Sequence, residues 1–427
     1  MKTSEDFLSF FSIGAIVKNT SHAAGKVRPR EPGGPDRRLR VAVVTAESTW
    51  PIRTGGHARV AGILTALKSH CELVIFGPKA DTPPDIEHVE VRVPFDRTVG
   101  NYLSLGPRLG RSAFKRNERR RIAGLLAQNS FDVVIYTHSY LAAVIPAPVG
   151  TPSIVDFPNI EIDRQKSIAS TRRSATAVLP WIESWKARIW EPRVVRRAHA
   201  NIAVSDADAD RIAQWNATTL LIPNATHVPP NYVRSPEDGY VIYACNGDYP
   251  PNKDAGDWLI NSVWPHVISE LPHARLVIVG RNTDKAFSYA PHRTGVRVVG
   301  TVDTLTPWLH DSAVAVAPVT AGGGSQLKIL EFLAHRRCVV ATEYSYRSVP
   351  EIFADGVERT NDAVHYARSI VGLLSDVDRR HKCESEIDAH AATLDWEYAT
   401  RTLMQDVARV ASLRGSAEPR EVERSPR

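Results

Sequence analysis

Three successive segments, LRVAVVTA (Leu39–Ala46), ARVAGILTALKSH (Ala58–His70) and ELVIFG (Glu72–Gly77), carry the reading that decides the fold. The first and third are short unbroken apolar runs, the pattern of strands buried on both faces of a parallel sheet. Between them Val60, Ile63, Leu64 and Leu67 recur at helical spacing. Strand, helix and strand in that order make one parallel crossover unit. Further strand candidates follow in DVVIYTH (Asp132–His138), PSIVDF, ANIAVS and TLLIPN. A break rich in Pro and Asn, PNATHVPPNYVRSPEDG (Pro223–Gly239), interrupts them. The alternation then restarts with YVIYACNG (Tyr240–Gly247), RLVIVG, VRVVG, AVAVAPV and CVVAT.

Two such series predict an α/β chain of two Rossmann-like, doubly wound parallel-sheet domains, and 427 residues are too many for one ordinary core. The expected organisation is a disordered tail at 1–38, an N-terminal domain at 39–225, a linker at 226–239, a C-terminal domain at 240–395, a closing helix at 396–413 and a disordered tail at 414–427. No apolar run reaches spanning length. FLSFFSIGAIV (Phe7–Val17) is too short and follows Glu5 and Asp6, so it reads as a tail segment that packs or touches a membrane rather than as a secretory signal. Cys71, Cys245, Cys338 and Cys383 show no CxxC spacing, which favours buried reduced thiols in the cytoplasm over zinc or disulfides.

Positive charge is concentrated. Pro107–Arg121 carries seven bases against one acid, and residues 164–199 carry nine against two, with Trp181, Trp185 and Trp190 among them. Two readings stand: solvated helix faces over core tryptophans, or a basic aromatic surface for anionic lipid at the inner face of the membrane or for a lipid-phosphate acceptor. No nucleic-acid-binding motif accompanies the charge, so no nucleic-acid partner is expected.

Ligands of open parallel sheets bind beyond the carboxyl ends of the strands. In AGGGSQLKILEFLA (Ala321–Ala334) a glycine run joins strand AVAVAPV to a helix with Leu327, Leu330 and Ala334 on one face. Free amides and the positive end of a helix dipole favour an anion there, and missing Cβ atoms let it approach. Glu331, off the apolar face, suits a vicinal diol such as a ribose, and Lys328 suits a phosphate. The ordinary alternative is a surface Lys–Glu pair at spacing three.

The run GGGSQLKILEFLAHRRCVVAT, with YACNGDYPPNKDAGDWLINSVWPHVISELPHARLVIVGRN and VRVVGTVDTLTPWLHDSAVAVAPV before it, resembles the nucleotide-binding half of group 1 (family 4) glycosyltransferases of the GT-B type. WPIRTGGHARV, RAHANIAVS and IPNATH resemble the first half more loosely. The resemblance implies two Rossmann-like domains facing a cleft. It implies retaining transfer of a hexose from a nucleotide-diphosphate sugar to a hydroxyl of a saccharide or lipid-linked acceptor, in polysaccharide or glycolipid synthesis. No metal and no cofactor beyond the donor substrate are implied. By position, Glu331 resembles the glutamate that holds the donor ribose. Gly323, Gly324, Ser325, Gln326 and Leu327 resemble the loop whose amides hold the diphosphate. Gly55 and Gly56 match the first-domain loop facing diphosphate and acceptor, His138 a histidine near the transferred sugar, and Lys253 a basic residue that meets the phosphates. The sequence departs from the family pattern at Gly323, where many members carry a first glutamate, at Asp248, where an arginine is usual, and at PNATH, which lacks the usual glycine.

Asp206-Ala-Asp208 and Asp376-Val-Asp378 spell DxD, the metal motif of another glycosyltransferase class, but both open helical segments where acids serve as caps. His57 reads equally well as a loop residue or a ligand. Two other functions fit the architecture: a non-catalytic sugar-nucleotide-binding subunit of a polysaccharide assembly complex, and a sugar-nucleotide epimerase.

Overall fold

The structure, a computed structural model, describes residues 38–52, 55–94, 104–171, 178–215, 217–321 and 326–414. Within these, residues up to 224 together with those from 396 form one unit, and residues 225–395 form a second.

The first unit is built on strands β1 (Leu39–Val44), β2 (Cys71–Gly77), β3 (Glu87–Glu90), β4 (Val133–Tyr136), β5 (Ser153–Phe157), β6 (Ala200–Ala203) and β7 (Thr219–Leu221). They pair in parallel in the order β3-β2-β1-β4-β5-β6-β7. Successive residues of β1 point to opposite faces. Val41 and Val43 join Val60, Ile63, Leu64 and Leu67 of the helix Gly55–Lys68. Ala42 and Val44 join Ile122, Leu126 and Val195 on the other side. Burial on both faces explains why the strand is apolar throughout.

The chain returns to this unit at its end, where Leu403, Val407 and Val410 enter the same core as Val60. The single closing helix expected over 396–413 is two helices, Trp396–Ala399 and Leu403–Ala411. The Thr400 hydroxyl donates back to the Trp396 carbonyl, and the turn 400–402 separates them. Trp396 lies against Gly62, where a Cβ would come within 2.1 Å of its ring.

The second unit holds β8 (Tyr240–Ala244), β9 (Leu276–Val279), β10 (Val296–Gly300), β11 (Ser312–Ala317), β12 (Cys338–Ala341) and β13 (Val357–Arg359), all parallel in the order β10-β9-β8-β11-β12-β13. Val241 and Tyr243 pack with Leu259, Trp264 and Ile370, and Ile242 and Ala244 with Leu330, Phe332 and Leu333. Much of the stretch expected as a linker is tied down on this unit. Glu384 accepts from Tyr232 Oη at 2.9 Å and the Ser235 amide at 3.1 Å, Arg380 donates to Ser235 Oγ at 2.9 Å, and Arg337 donates to the Val233 carbonyl at 2.8 Å. Arg337 and Glu384 form a fully buried pair at 3.2 Å.

The cysteines depart from the expectation of four reduced thiols. Cys338 on β12 and Cys383 on the helix Val377–His390 are joined as a disulfide with Cα atoms 6.4 Å apart, leaving Cys71 and Cys245 as buried free thiols. The tails 1–37 and 415–427, including Phe7–Val17, lie outside the described residues.

Strand order reverses beside β1 and β4 in one unit and beside β8 and β11 in the other. These are the points where doubly wound sheets open a ligand crevice.

Candidate functional site

At the β8/β11 reversal, β11 runs out at Ala317 and the helix Leu327–Ala334 begins ten residues on. Gly323, Gly324 and Ser325 lie outside the described residues. Gln326 is buried, and its amide donates to Ser348 Oγ at 2.8 Å, so that N–H is already used within the protein. Leu327 opens the helix; the Ile329 amide already donates to the Gln326 carbonyl at 2.9 Å, and those of Leu327 and Lys328 lack intrahelical acceptors.

Lys328 is partly buried. Its ammonium donates to Asn252 Oδ1 at 2.9 Å and sits 5.3 Å from the centroid of the Tyr243 ring. Both partners are neutral, and burial pushes its pKa below the usual lysine value. Asn252 is held in turn, donating from its side chain to the Asn246 carbonyl at 3.0 Å and accepting at its own carbonyl from Tyr243 Oη at 2.7 Å. The Lys–Glu surface pair considered above does not form: no carboxylate among the described residues lies within ion-pair distance of Lys328.

Glu331 lies one turn further along the helix, partly buried, and burial holds its carboxyl up to about 7. Among the described residues its carboxylate has no hydrogen-bond donor; only its backbone carbonyl is engaged, by His335. A cation with only neutral partners and a carboxylate with none therefore stand a turn apart on one helix, beside the crevice.

Asp248, where the resemblance leads one to expect arginine, accepts from Asn282 Nδ2 at 2.9 and 2.8 Å and pairs with Arg281 Nε at 3.2 Å. Positive charge thus reaches this corner from the end of β9 instead of β8. Gly280 makes the approach possible: its φ is +127°, and a Cβ there would lie 2.1 Å from the Cys245 carbonyl oxygen. Lys253 is exposed on the helix Pro250–Trp258; the residue that turns inward is its neighbour Asn252.

At the β1/β4 reversal stand Glu47, His138, Gly55 and Gly56. Gly55 and Gly56 open the helix Gly55–Lys68, and a Cβ on Gly56 would lie 2.4 Å from Glu47 Oε2. Among the described residues that oxygen is buried without a hydrogen-bond partner, and burial raises the Glu47 pKa. His138 Nε2 lies 3.8 Å from Glu47 Oε1, its Nδ1 is 3.3 Å from Thr137 Oγ1, and its ring stacks on Tyr140 at 4.8 Å. Burial, with Arg164 and Arg59 adding like charge, pushes His138 down to about 3, so the imidazole is neutral at physiological pH. Arg59 is committed elsewhere: fully buried, it donates to both Asp156 oxygens at 2.8 and 2.6 Å and to Asn224 Oδ1 at 3.1 Å, anchoring the Gly55 helix.

The acidic DxD spellings lie at helix starts. Ser205 caps the helix Asp206–Ala213 and Asp208 accepts from its hydroxyl at 2.7 Å; Asp376 caps Val377–His390 by accepting from the Arg379 amide at 2.9 Å. Among the described residues, no group of three or more His, Cys, Asp or Glu is placed to hold a metal ion. His57 lies in the first turn of the helix Gly55–Lys68 rather than in a loop, with its Nδ1 3.4 Å from the Pro51 carbonyl.

Residues 239–376 match the family described as Glycosyl transferases group 1, and residues 54–225 match the Glycosyl transferase 4-like domain. The chain belongs to the group 1 glycosyltransferases. Among solved structures it is similar to sucrose-phosphate synthase from Thermosynechococcus elongatus, with a TM-score of 0.65 at 13% identity over 88% of this chain and 100% of that one. It is also similar to WaaG, a glycosyltransferase involved in lipopolysaccharide biosynthesis, with a TM-score of 0.59 at 10% identity over 88% of this chain and 100% of that one. HepE of Anabaena, solved with UDP and glucose, matches with a TM-score of 0.57 at 13% identity over 87% of this chain and 100% of that one. At such identities these likenesses establish the GT-B fold alone. No curated protein matches the chain at a significant level.

Sequence reasoning missed Asn252, Ser348 and Glu47. Asn252 had a signal, since it directly precedes Lys253 in PPNK; Glu47, just past the end of β1, had only its place beyond a strand.

Proposed function

We propose that this group 1 glycosyltransferase transfers a hexose from a nucleotide-diphosphate sugar to a hydroxyl with retention of configuration. One observation carries the reading: among the described residues the Lys328 ammonium has only neutral partners, and a turn along the same helix the Glu331 carboxylate has no donor. A diphosphate and a ribose diol satisfy both at once. Lys328, Arg281 and the amides at the start of helix 327–334 stabilise the charge that develops as the diphosphate leaves. In the transfer the bond from the sugar's anomeric carbon to the phosphate oxygen breaks, and its electron pair stays on the diphosphate. The acceptor oxygen bonds to the same face of that carbon, and its proton passes to a phosphate oxygen.

On this reading the positive charge comes from the chain itself and no divalent cation is required. His138, neutral and fixed on Tyr140, serves the transferred sugar, and Glu47 beside it offers an acceptor oxygen for a hydroxyl. The acceptor is a saccharide or lipid-linked hydroxyl in polysaccharide or glycolipid synthesis, with the enzyme acting in the cytoplasm. Because HepE was solved with UDP and glucose, UDP sugars are the first donors to try.

The test is a thermal-shift screen of nucleoside diphosphates and their hexose conjugates, since a ligand bound only by the folded state raises the melting temperature. It is followed by an assay of donor hydrolysis and transfer, with and without a chelator. A nucleoside diphosphate that stabilises the chain, with transfer unaffected by the chelator, fits the proposal. Binding without turnover favours a non-catalytic subunit, and interconversion of free sugar nucleotides favours an epimerase. No stabilisation by any nucleoside diphosphate overturns the reading.

A further inference from the structure

The helix Val178–Arg197 carries three tryptophans that the fold treats differently. Trp190 is 9% exposed and belongs to the core, whereas Trp181 is 67% and Trp185 51% exposed. Val178 and Ile182 are also largely open to solvent. At 3.6 residues per turn, 178, 181, 182 and 185 fall on one face of the helix. Arg196 lies on the same line further along, and Arg188 and Arg193 flank it; all three are exposed. The two acids of this helix are out of reach: Glu183 is buried against Lys186 at 2.9 Å, and Glu191 is fully buried, accepting from the amides of Glu161 and Ile162. Every exposed charge on the helix is therefore positive. The start of the base-rich segment 107–121 meets the buried side of this helix, where Pro107, Arg108 and Leu109 line a small cavity together with Glu183, Ala187 and Trp190. Within that segment Arg119 is pushed below the usual arginine value by burial and by the charges of Arg111 and Arg116.

We propose that this face docks on an anionic lipid surface, with Trp181 and Trp185 at the headgroup level and Arg188, Arg193 and Arg196 on lipid phosphates. Charge and size select the occupant. An apolar line continued by arginines with no exposed acid fits a surface that is apolar beneath and anionic above. The four apolar side chains expose on the order of 400 Å², about half of one partner's share of a standard protein interface. That is too little for a stable dimer but enough, with the arginines, for reversible adsorption.

The experiment is co-sedimentation of the full chain with vesicles of phosphatidylcholine alone and with ~30 mol% phosphatidylglycerol, at low and high salt. The wild type sediments with the anionic vesicles and is released by salt. Trp181→Ser/Trp185→Ser melts at the wild-type temperature, because both rings are exposed, and binds about tenfold more weakly. Arg188→Glu/Arg193→Glu loses the preference for anionic lipid. All variants keep Phe7–Val17, so a loss on substitution belongs to the helix. Equal binding by wild type and the tryptophan variant overturns the proposal, as does no binding to anionic vesicles. A dimer in sedimentation velocity that the tryptophan variant dissolves also overturns it, by showing that the face pairs two copies of this chain.

Discussion

Replacing Glu331 by glutamine removes a charge from a partly buried site while keeping the side chain's size. Burial raises this carboxyl from an ordinary 4.5 to about 7 in the folded state. Because the folded pKa lies above the unfolded one, holding the group ionised works against folding. The penalty is absent below about pH 4.5, grows between 4.5 and about 7, and is complete above 7. Each tenfold weakening of acidity costs ~1.4 kcal/mol, so the full penalty is about 3 kcal/mol, an upper bound because the carboxylate keeps some contact with water. Glu331→Gln in the absence of ligand therefore melts higher than wild type at pH 8, and the gain vanishes towards pH 5. Donor binding moves the other way. Losing hydrogen bonds from a diol to a charged acceptor costs about 1.5–3 kcal/mol, or roughly ten- to a hundredfold in affinity. For the same reason wild-type donor affinity rises as pH climbs through about 7. Thermal unfolding at the two pH values and a donor titration at pH 8 check both halves. A variant no more stable than wild type at pH 8, or one with unchanged donor affinity, refutes the reasoning.

Lys328→Met should lower turnover ~10²–10³-fold, as loss of one preorganised charge at a leaving group does, without lowering the melting temperature, since no carboxylate is orphaned; a fall of less than about tenfold removes Lys328 from the mechanism. Arg281→Ala and Asp248→Asn should act with opposite signs on donor KM. The first removes a cation and raises KM; the second frees Arg281 from its 3.2 Å partner and lowers it. Changes of the same sign argue that the pair is only structural. Gly62→Ala places a methyl 2.1 Å from the Trp396 ring and should destabilise by about 1–3 kcal/mol, read as a lower melting temperature; unchanged melting would show that the closing helix packs differently.

The strands could be read because β1, β4, β8 and β11 are buried on both faces, which forces an unbroken apolar spelling. The closing segment was harder. Its apolar spacing runs on through 396–413, and nothing in that spacing shows that the Thr400 hydroxyl bonds back to Trp396 and the helix stops. In the site, Glu331 and Lys328 could be read from their offset on a strongly patterned helix, but what each meets could not. Lys253 was the natural candidate for a phosphate because it is basic; the turn before helix 250–258 faces Asn252 inward and leaves Lys253 in solvent. Glu47 and His138 come together only because β1 and β4, nearly a hundred residues apart, are neighbours. Cys338 and Cys383, 45 residues apart, meet because the helix Val377–His390 packs against β12. These are consequences of tertiary pairing, and no local pattern carries them.

The most direct test of the central claim is a crystal structure with the nucleoside diphosphate that stabilises the chain most. The account predicts both ribose hydroxyls within hydrogen-bond distance of the Glu331 carboxylate and the phosphates against Lys328 and the start of helix 327–334. A nucleotide bound at any other strand end, or a ribose turned away from Glu331, would contradict it.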